Sequence, residues 1–377
     1  MAGFLTTCKE QYIALRGFHT DRHLVVIESD DWGSIRMPSA AVFHGLQSSG
    51  DHPESDAFLR NDCLESEADL TALFEVLTAV RDKNGSPAVM TANFAMANPD
   101  FERIDPRSGT YFYELFTDTY QRYYPEQDVF SRVQEGIRAS CFVPQLHCRE
   151  HLNINRWMHD LGAQKPDAAA AFENHMIGIG TSFSPENPFA YMDAFNSNDT
   201  PSAELSVIVH DAMVLFESTF GKRSETLAVP CFVWDSALEQ ALAGLGVCGI
   251  QSGSWQNVPV CAGGKKRLRR RLRFLGQRNR FGQTYTVRNC SYEPAYQQNP
   301  AQSAEACFAQ IMRAFCSRKP AIINSHRFNY IGSIHPENAW ENLKGLLHLL
   351  QTILARVPDA EFISTVELLK IMHSEKL

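Results

Sequence analysis

Apolar positions recur along this chain in two alternating patterns. Short, β-branched runs bounded by turn residues read as strands covered on both faces. Longer stretches between them place apolar residues at helical spacing. Strands are expected at 23–29, 87–94, 141–146, 226–232, 247–251, 284–289, 321–325 and 361–364. Helices are expected at 9–15, 65–81, 111–124, 129–139, 153–162, 165–174, 201–220, 236–245, 304–317, 335–357 and 366–373. The helix at 65–81 aligns Leu70, Leu73, Phe74, Val76 and Leu77. The helix at 201–220 opens on a proline and stops at Gly221. Segments 34–67, 95–110 and 175–200 read as loops, the last as a substrate rim.

Strand and helix alternate from end to end, which predicts parallel strands joined by right-handed crossovers. Seven or eight such units in 377 residues suit one α/β domain, a distorted (β/α)7–8 barrel, better than two small sheets. The domain spans 1–377, with a core over about 23–370 and long loops at the C-terminal ends of the strands. In such barrels the chemistry sits at those ends.

Several reactive residues fall there. The first strand runs into Asp30 and Asp31, followed by Trp32 and a turn at Gly33. One acid can bind a metal while the other stays free as a base; a solvated Asp-Asp turn is the plainer alternative. Asn93 lies near the tip of the second strand, His147 follows the third, and His326 follows a late one. His147 and His151 are four apart, so a helical turn starting at His147 would set both rings on one face. Two imidazoles and one carboxylate leave positions open for water and substrate, the pattern of a catalytic zinc site. Such an ion lowers the pKa of its water and polarises a carbonyl.

Composition narrows the class. The net charge of −8, from 35 basic and 43 acidic residues, argues against general nucleic-acid binding. No apolar run approaches the ~20 residues of a membrane span. Ten scattered cysteines form no C-x-x-C pair, and residues 1–16 lack a basic segment followed by an apolar core, so a reducing, cytoplasmic setting is expected. The basic run at 265–273 marks 259–283 as an insertion, either simply solvated or a patch for an anionic glycan or membrane surface. Oligomeric state leaves no trace in the sequence.

The order Asp-Asp, H-x-x-x-H, late strand-end His resembles the polysaccharide deacetylase superfamily, the NodB-like carbohydrate deacetylases. The family's T-F-D-D-G motif is similar to Glu28-Ser29-Asp30-Asp31-Trp32-Gly33, its H-S/T-x-x-H to His147-Cys148-Arg149-Glu150-His151, and its L-x-H to Asn324-Ser325-His326. The resemblance implies Asp30 as general base, Asp31, His147 and His151 as ligands of one divalent metal, zinc by preference, and His326 as general acid. It implies a carbohydrate substrate, which the basic run would make anionic. Two motifs depart. R-x-P-Y survives at best as Ala228-Val229-Pro230-Cys231, without the arginine that orients the base, so Arg149 or Arg327 is expected to replace it. The Cys231 N–H can still serve an oxyanion hole. D-x-x-D-W has only Trp255 as a remnant. Trp32, Trp234 and Trp255 are candidates to stack on a sugar, and Arg327 and Asn329 to hold substrate hydroxyls or a carboxylate. The expected function is removal of acetyl from an N-acetylated sugar or glycan. Hydrolysis of another non-peptide C–N amide or an O-acetyl ester, or an inactive carbohydrate-binding barrel, remains the alternative.

Overall fold

The computed structural model describes residues 16–179, 189–297 and 299–374. The helix expected at 9–15 and part of the 175–200 rim lie outside these residues.

Among the described residues, nine parallel strands form one curled sheet. In chain order the strands of the protein are β1 (Leu24–Trp32), β2 (Met90–Ala95), β3 (Ala97–Pro99), β4 (Tyr113–Leu115), β5 (Phe142–Cys148), β6 (Thr226–Ala228), β7 (Gly249–Ser252), β8 (Trp255–Ala262), β9 (Lys265–Leu272), β10 (Thr284–Val287), β11 (Cys290–Ser291), β12 (Ala321–His326) and β13 (Glu361–Phe362). Their order across the sheet is β10-β7-β6-β5-β2-β1-β12-β11, with β13 paired to β1. The distorted (β/α) barrel is therefore the observed fold, with helices packed around its outside.

The sheet closes through one stretch of chain. Val287 pairs with Ser252 of β7, whereas Cys290 pairs with Ile323 of β12. The switch falls between Arg288, whose N–H donates to the Ser252 carbonyl, and Asn289, whose N–H donates to that of Ile322. Residues 284–291 thus join the two edges of the curl.

The barrel interior is polar where strands facing one another meet. Glu28 of β1 accepts from Thr286 of β10 and from Thr365. Asn93 and Gln251 bond each other, and Gln251 also reaches Thr226. Interlocked side chains of this kind satisfy buried polar groups and fix the register of the strands that carry them.

Local expectations were revised in several places. β1 extends past residue 29 to Trp32, with a bulge between Ser29 and Trp32. The 34–67 segment is partly helical, at Ala40–Ser49 and Ala57–Asn61, each opened by a side-chain cap from Ser39 and Asp56. Within the 259–283 segment the basic run is ordered as β9 of an antiparallel hairpin with β8.

Candidate metal and acid–base site

Asp31 departs from strand geometry. Its φ of 74° lies in the left-handed region, which non-glycine residues enter only at a cost. Adjacent residues of a regular strand point to opposite faces; the bulge breaks that alternation, so Asp30 and Asp31 both serve the same end of the barrel. Gly33 follows at φ 77°, with the Ala95 carbonyl 2.8 Å from where a Cβ would sit, so only glycine fits the turn.

Three ligand-type atoms converge on one point. His147 Nε2 lies 3.3 Å and His151 Nε2 3.4 Å from Asp31 Oδ1. The three residues are buried, and one ligand atom from each lies within 4.8 Å of the others. His147 Nδ1 is held 2.7 Å from the Ala228 carbonyl, which fixes the ring with Nε2 turned to the site. Asp31 Oδ1 and His147 Nε2 are buried without a hydrogen-bond partner among the described residues. Orphaned buried polar atoms are rare, and these are the atoms a metal would take. Burial holds the His151 pKa down at about 3, so its ring is neutral, as a ligand must be. Asp31 is ionised: burial opposes this, but His151, His147 and Arg36 outweigh it and hold the carboxyl well below its usual range. The donor set fits a divalent ion. The expected helical turn at His147 is not there: His147 lies at the end of strand β5 and His151 in the bend after it, and the two ring centroids are still 4.8 Å apart.

Asp30 and His326 flank this cluster as register partners on the parallel pair β1 and β12. Asp30 is gripped by Arg288, whose Nη1 and Nη2 donate to Oδ2 and Oδ1 at 2.6 and 2.7 Å. Asn93 donates to Oδ1 at 2.7 Å. Burial opposes ionisation of Asp30, but Arg288, then His147 and His326, hold its pKa well below normal. Arg288 Nε also donates to Glu28 Oε2 at 2.7 Å, so one guanidinium spans two buried carboxylates.

His326 Nδ1 lies 2.6 Å from Glu293 Oε1. Asn324 and Asn329 each donate to Glu293 at 2.6 Å and hold it in place. Burial works against a charged ring, yet Glu293, with Asp31 and Asp30 beyond it, raises the His326 pKa to about 9. At neutral pH His326 carries a proton to give, and its side chain keeps 21% exposure, an opening to a substrate.

The remaining candidates are placed as follows. Trp32 is 1% exposed, donates to Ser29 and packs edge-on against Phe142; it is core and has no face for a sugar. Trp234 is likewise fully buried, bonded to Glu239. Arg327 is fully buried between Asp62 and Glu65, each 2.7 Å away, so it neither orients the base nor meets substrate. Arg149 is drawn to Glu150 and Asp211 and lies over the Tyr113 ring, so it does not orient the base either. Asn329 is buried and acts on Glu293 rather than on a ligand. Cys231 sits just past β6 in a left-handed turn, φ 52°. Trp255 opens the basic hairpin, with the Arg270 guanidinium 4.7 Å from its ring.

Arg288 and Glu293 were not singled out from the sequence. Arg288 did leave a signal, a lone arginine inside the run expected as strand 284–289. Glu293 left none. Arg36 was also missed; it is 3.3 Å from Asp31 Oδ2 and stands over the Phe58 ring.

No family model matches the chain, and no curated protein matches it. Solved structures similar to it include one described as a polysaccharide deacetylase from Mycobacterium smegmatis, 10% identical over 96% of each chain with a TM-score of 0.45. PuuE allantoinase is 8% identical over 96% of this chain and 95% of its own, TM-score 0.47. A family 4 carbohydrate esterase pseudoenzyme from Bacillus anthracis is 9% identical over 93% of this chain and 66% of its own, TM-score 0.39. Identities this low do not carry chemistry across. Polysaccharide deacetylases and family 4 carbohydrate esterases are thus among the solved structures to which this chain is similar.

Proposed function

We propose that the protein is a metal-dependent hydrolase that removes acetyl from an N-acetylated sugar or glycan. The observation that carries this reading is the placement of Asp30, gripped by Arg288, and His326, paired with Glu293, side by side and flanking the Asp31–His147–His151 cluster. A binding protein needs neither a clamped base nor a charged acid beside its metal.

Asp31, His147 and His151 would hold the ion, and two imidazoles with one carboxylate favour zinc. When bound, that ion supplies Lewis acidity toward the acyl oxygen and a more acidic water. Asp30 accepts the proton from the attacking water, its two oxygens aimed by Arg288 and Asn93. His326 delivers its proton to the departing nitrogen, and Glu293 stabilises the imidazolium until it does. The Cys231 peptide N–H is the backbone donor suited to the developing oxyanion. Products are acetate and a free amine.

The setting proposed is the cytoplasm. The nine described cysteines are free thiols, as a reducing compartment favours. No helix among the described residues is long and apolar enough to cross a membrane.

The test is metal analysis of the purified protein together with a panel of N-acetylated sugars, O-acetyl esters and other amides. Bound zinc with acetate release from an N-acetyl sugar supports the reading. Turnover of only an ester or another amide moves the substrate class. Metal without turnover of any of them leaves the binding-barrel reading in its place.

A further inference from the structure

The hairpin of β8 and β9 carries an ordered row of charge. Directly opposed residues of an antiparallel pair share a face, and alternate residues along each strand share it too. The register pairs Gln256 with Arg271, Val258 with Arg269, Val260 with Arg267 and Ala262 with Lys265. One face therefore presents Lys265, Arg267, Arg269 and Arg271 in a line, all exposed. Strand geometry spaces them by about 6.7 Å, so the row runs about 20 Å. Every residue opposite them is uncharged. None of the four has an ion pair among the described residues; the pairs nearby belong to Lys266, with Asp199, and to Arg273, with Glu239.

Four like charges in line repel one another, and the opposing strand does nothing to relieve it. In a chain of net charge −8 such a concentration is a local feature, not a bulk one. The row is also rooted at the site. β8 starts three residues after β7 ends. Asn257 Nδ2 donates to the Cys231 carbonyl at 3.1 Å, and the Asn257 carbonyl accepts from the Trp234 N–H at 3.2 Å. The hairpin base thus packs against the turn just past β6, at the same end of the parallel sheet as Asp31 at the tip of β1.

We propose that this face is a docking strip for an acidic glycan, one bearing carboxylates at intervals along its chain, which it guides toward the mouth of the barrel. Three of the four cations are arginines, whose planar forks match a carboxylate with two parallel hydrogen bonds. Single-stranded nucleic acid is a poorer occupant. Its binding sites interleave aromatic platforms with the cations, and the residues opposite this row are glutamine, valine and alanine. A lipid surface is poorer too, since the strip offers no aromatic or large aliphatic side chain to insert.

The inference deepens the carbohydrate reading above and rests on it for the nature of the polymer. It is tested with the full-length, zinc-supplemented protein and a fluorescent oligogalacturonate, beside the variant R267Q/R269Q/R271Q. Wild type is expected to bind with an affinity that falls steeply between roughly 50 and 200 mM salt. The variant is expected to bind about tenfold or more weakly, in line with the loss of three ionic contacts. Its metal content and its turnover of a small neutral acetylated sugar should be unchanged, which also certifies that it folds. The single variant R269E gives the same answer if the triple variant is unstable. Equal binding by wild type and variant overturns the proposal, as does no binding by either. Tighter row-dependent capture of single-stranded RNA, or of phosphatidylserine vesicles, overturns it in favour of those partners. Row-dependent glycan binding without hydrolysis of any acetylated compound upholds the strip and discards the hydrolase instead.

Discussion

Arg288 grips Asp30 through both terminal nitrogens while its Nε holds Glu28, and the two carboxylates belong to a strand with which it shares no backbone ladder. Asp30 is thereby kept ionised and held in place in a site whose burial would otherwise favour its neutral form. Replacing Arg288 by Met removes the charge and leaves both acids buried without it. A loss of about 3–5 kcal/mol in stability is expected from breaking so buried a pair. Turnover should fall by about a hundredfold or more through the misplaced base. Arg288→Lys restores charge without the fork and should recover stability better than rate. Denaturant midpoints and initial rates measured side by side check both halves; a variant that keeps full activity would remove Asp30 from the chemistry.

The alkaline side of the pH profile is expected to follow His326. Its folded pKa is raised from 6.5 to about 9, so the charged ring and the stability it lends are fully present below 6.5 and are lost as pH rises through about 9. Activity should follow, with a falling limb near pH 9. Glu293→Gln removes the main partner that favours the charged ring and should carry that limb toward lower pH. An unmoved limb in Glu293→Gln would assign the titration to another group.

Chelation should abolish turnover, and zinc should restore it. Purified protein is expected to carry about one zinc per chain, the number a single three-residue ligand set holds. His147→Ala should lose it, because Asp31 and His151 alone make a weak site. Elemental analysis of the two proteins settles this: equal metal in both would place the ion elsewhere.

Trp32→Ala separates packing from recognition. Trp32 is enclosed by the core, so its truncation should lower stability by about 3–5 kcal/mol. The KM of folded variant should stay near that of wild type. A large rise in KM with unaltered stability would restore a substrate role to this residue.

Much of the site was legible because its residues sit at strand tips in a chain whose strands are easy to find. Asp30, Asp31, His147 and His326 are each read from an apolar run that stops at a reactive side chain, and His151 from its spacing to His147. Asp31, His147 and His151 meet, with Asp30 and His326 beside them, because parallel strands deliver their tips to one end. Arg288 escaped notice because its role depends on closure of the sheet, a contact across about 260 positions of chain with no local signature. Trp32, Trp234 and Arg327 misled for the opposite reason. Type and neighbourhood suggested ligand contact, while depth in the fold, which sequence does not report, assigned them to packing and to a buried ion-pair network.

Closure at residues 287–290 has a consequence for how the protein fails. The same short stretch seals the curl and carries the arginine that grips Asp30. Warming that loosens this seam should unbutton the barrel and release Asp30 in one event, while Asp31, His147 and His151, the proposed metal ligands at the ends of β1 and β5 well inside the sheet, should stay together. Inactivation should therefore run ahead of metal release and of global melting, leaving a species that still holds its ion and no longer turns over.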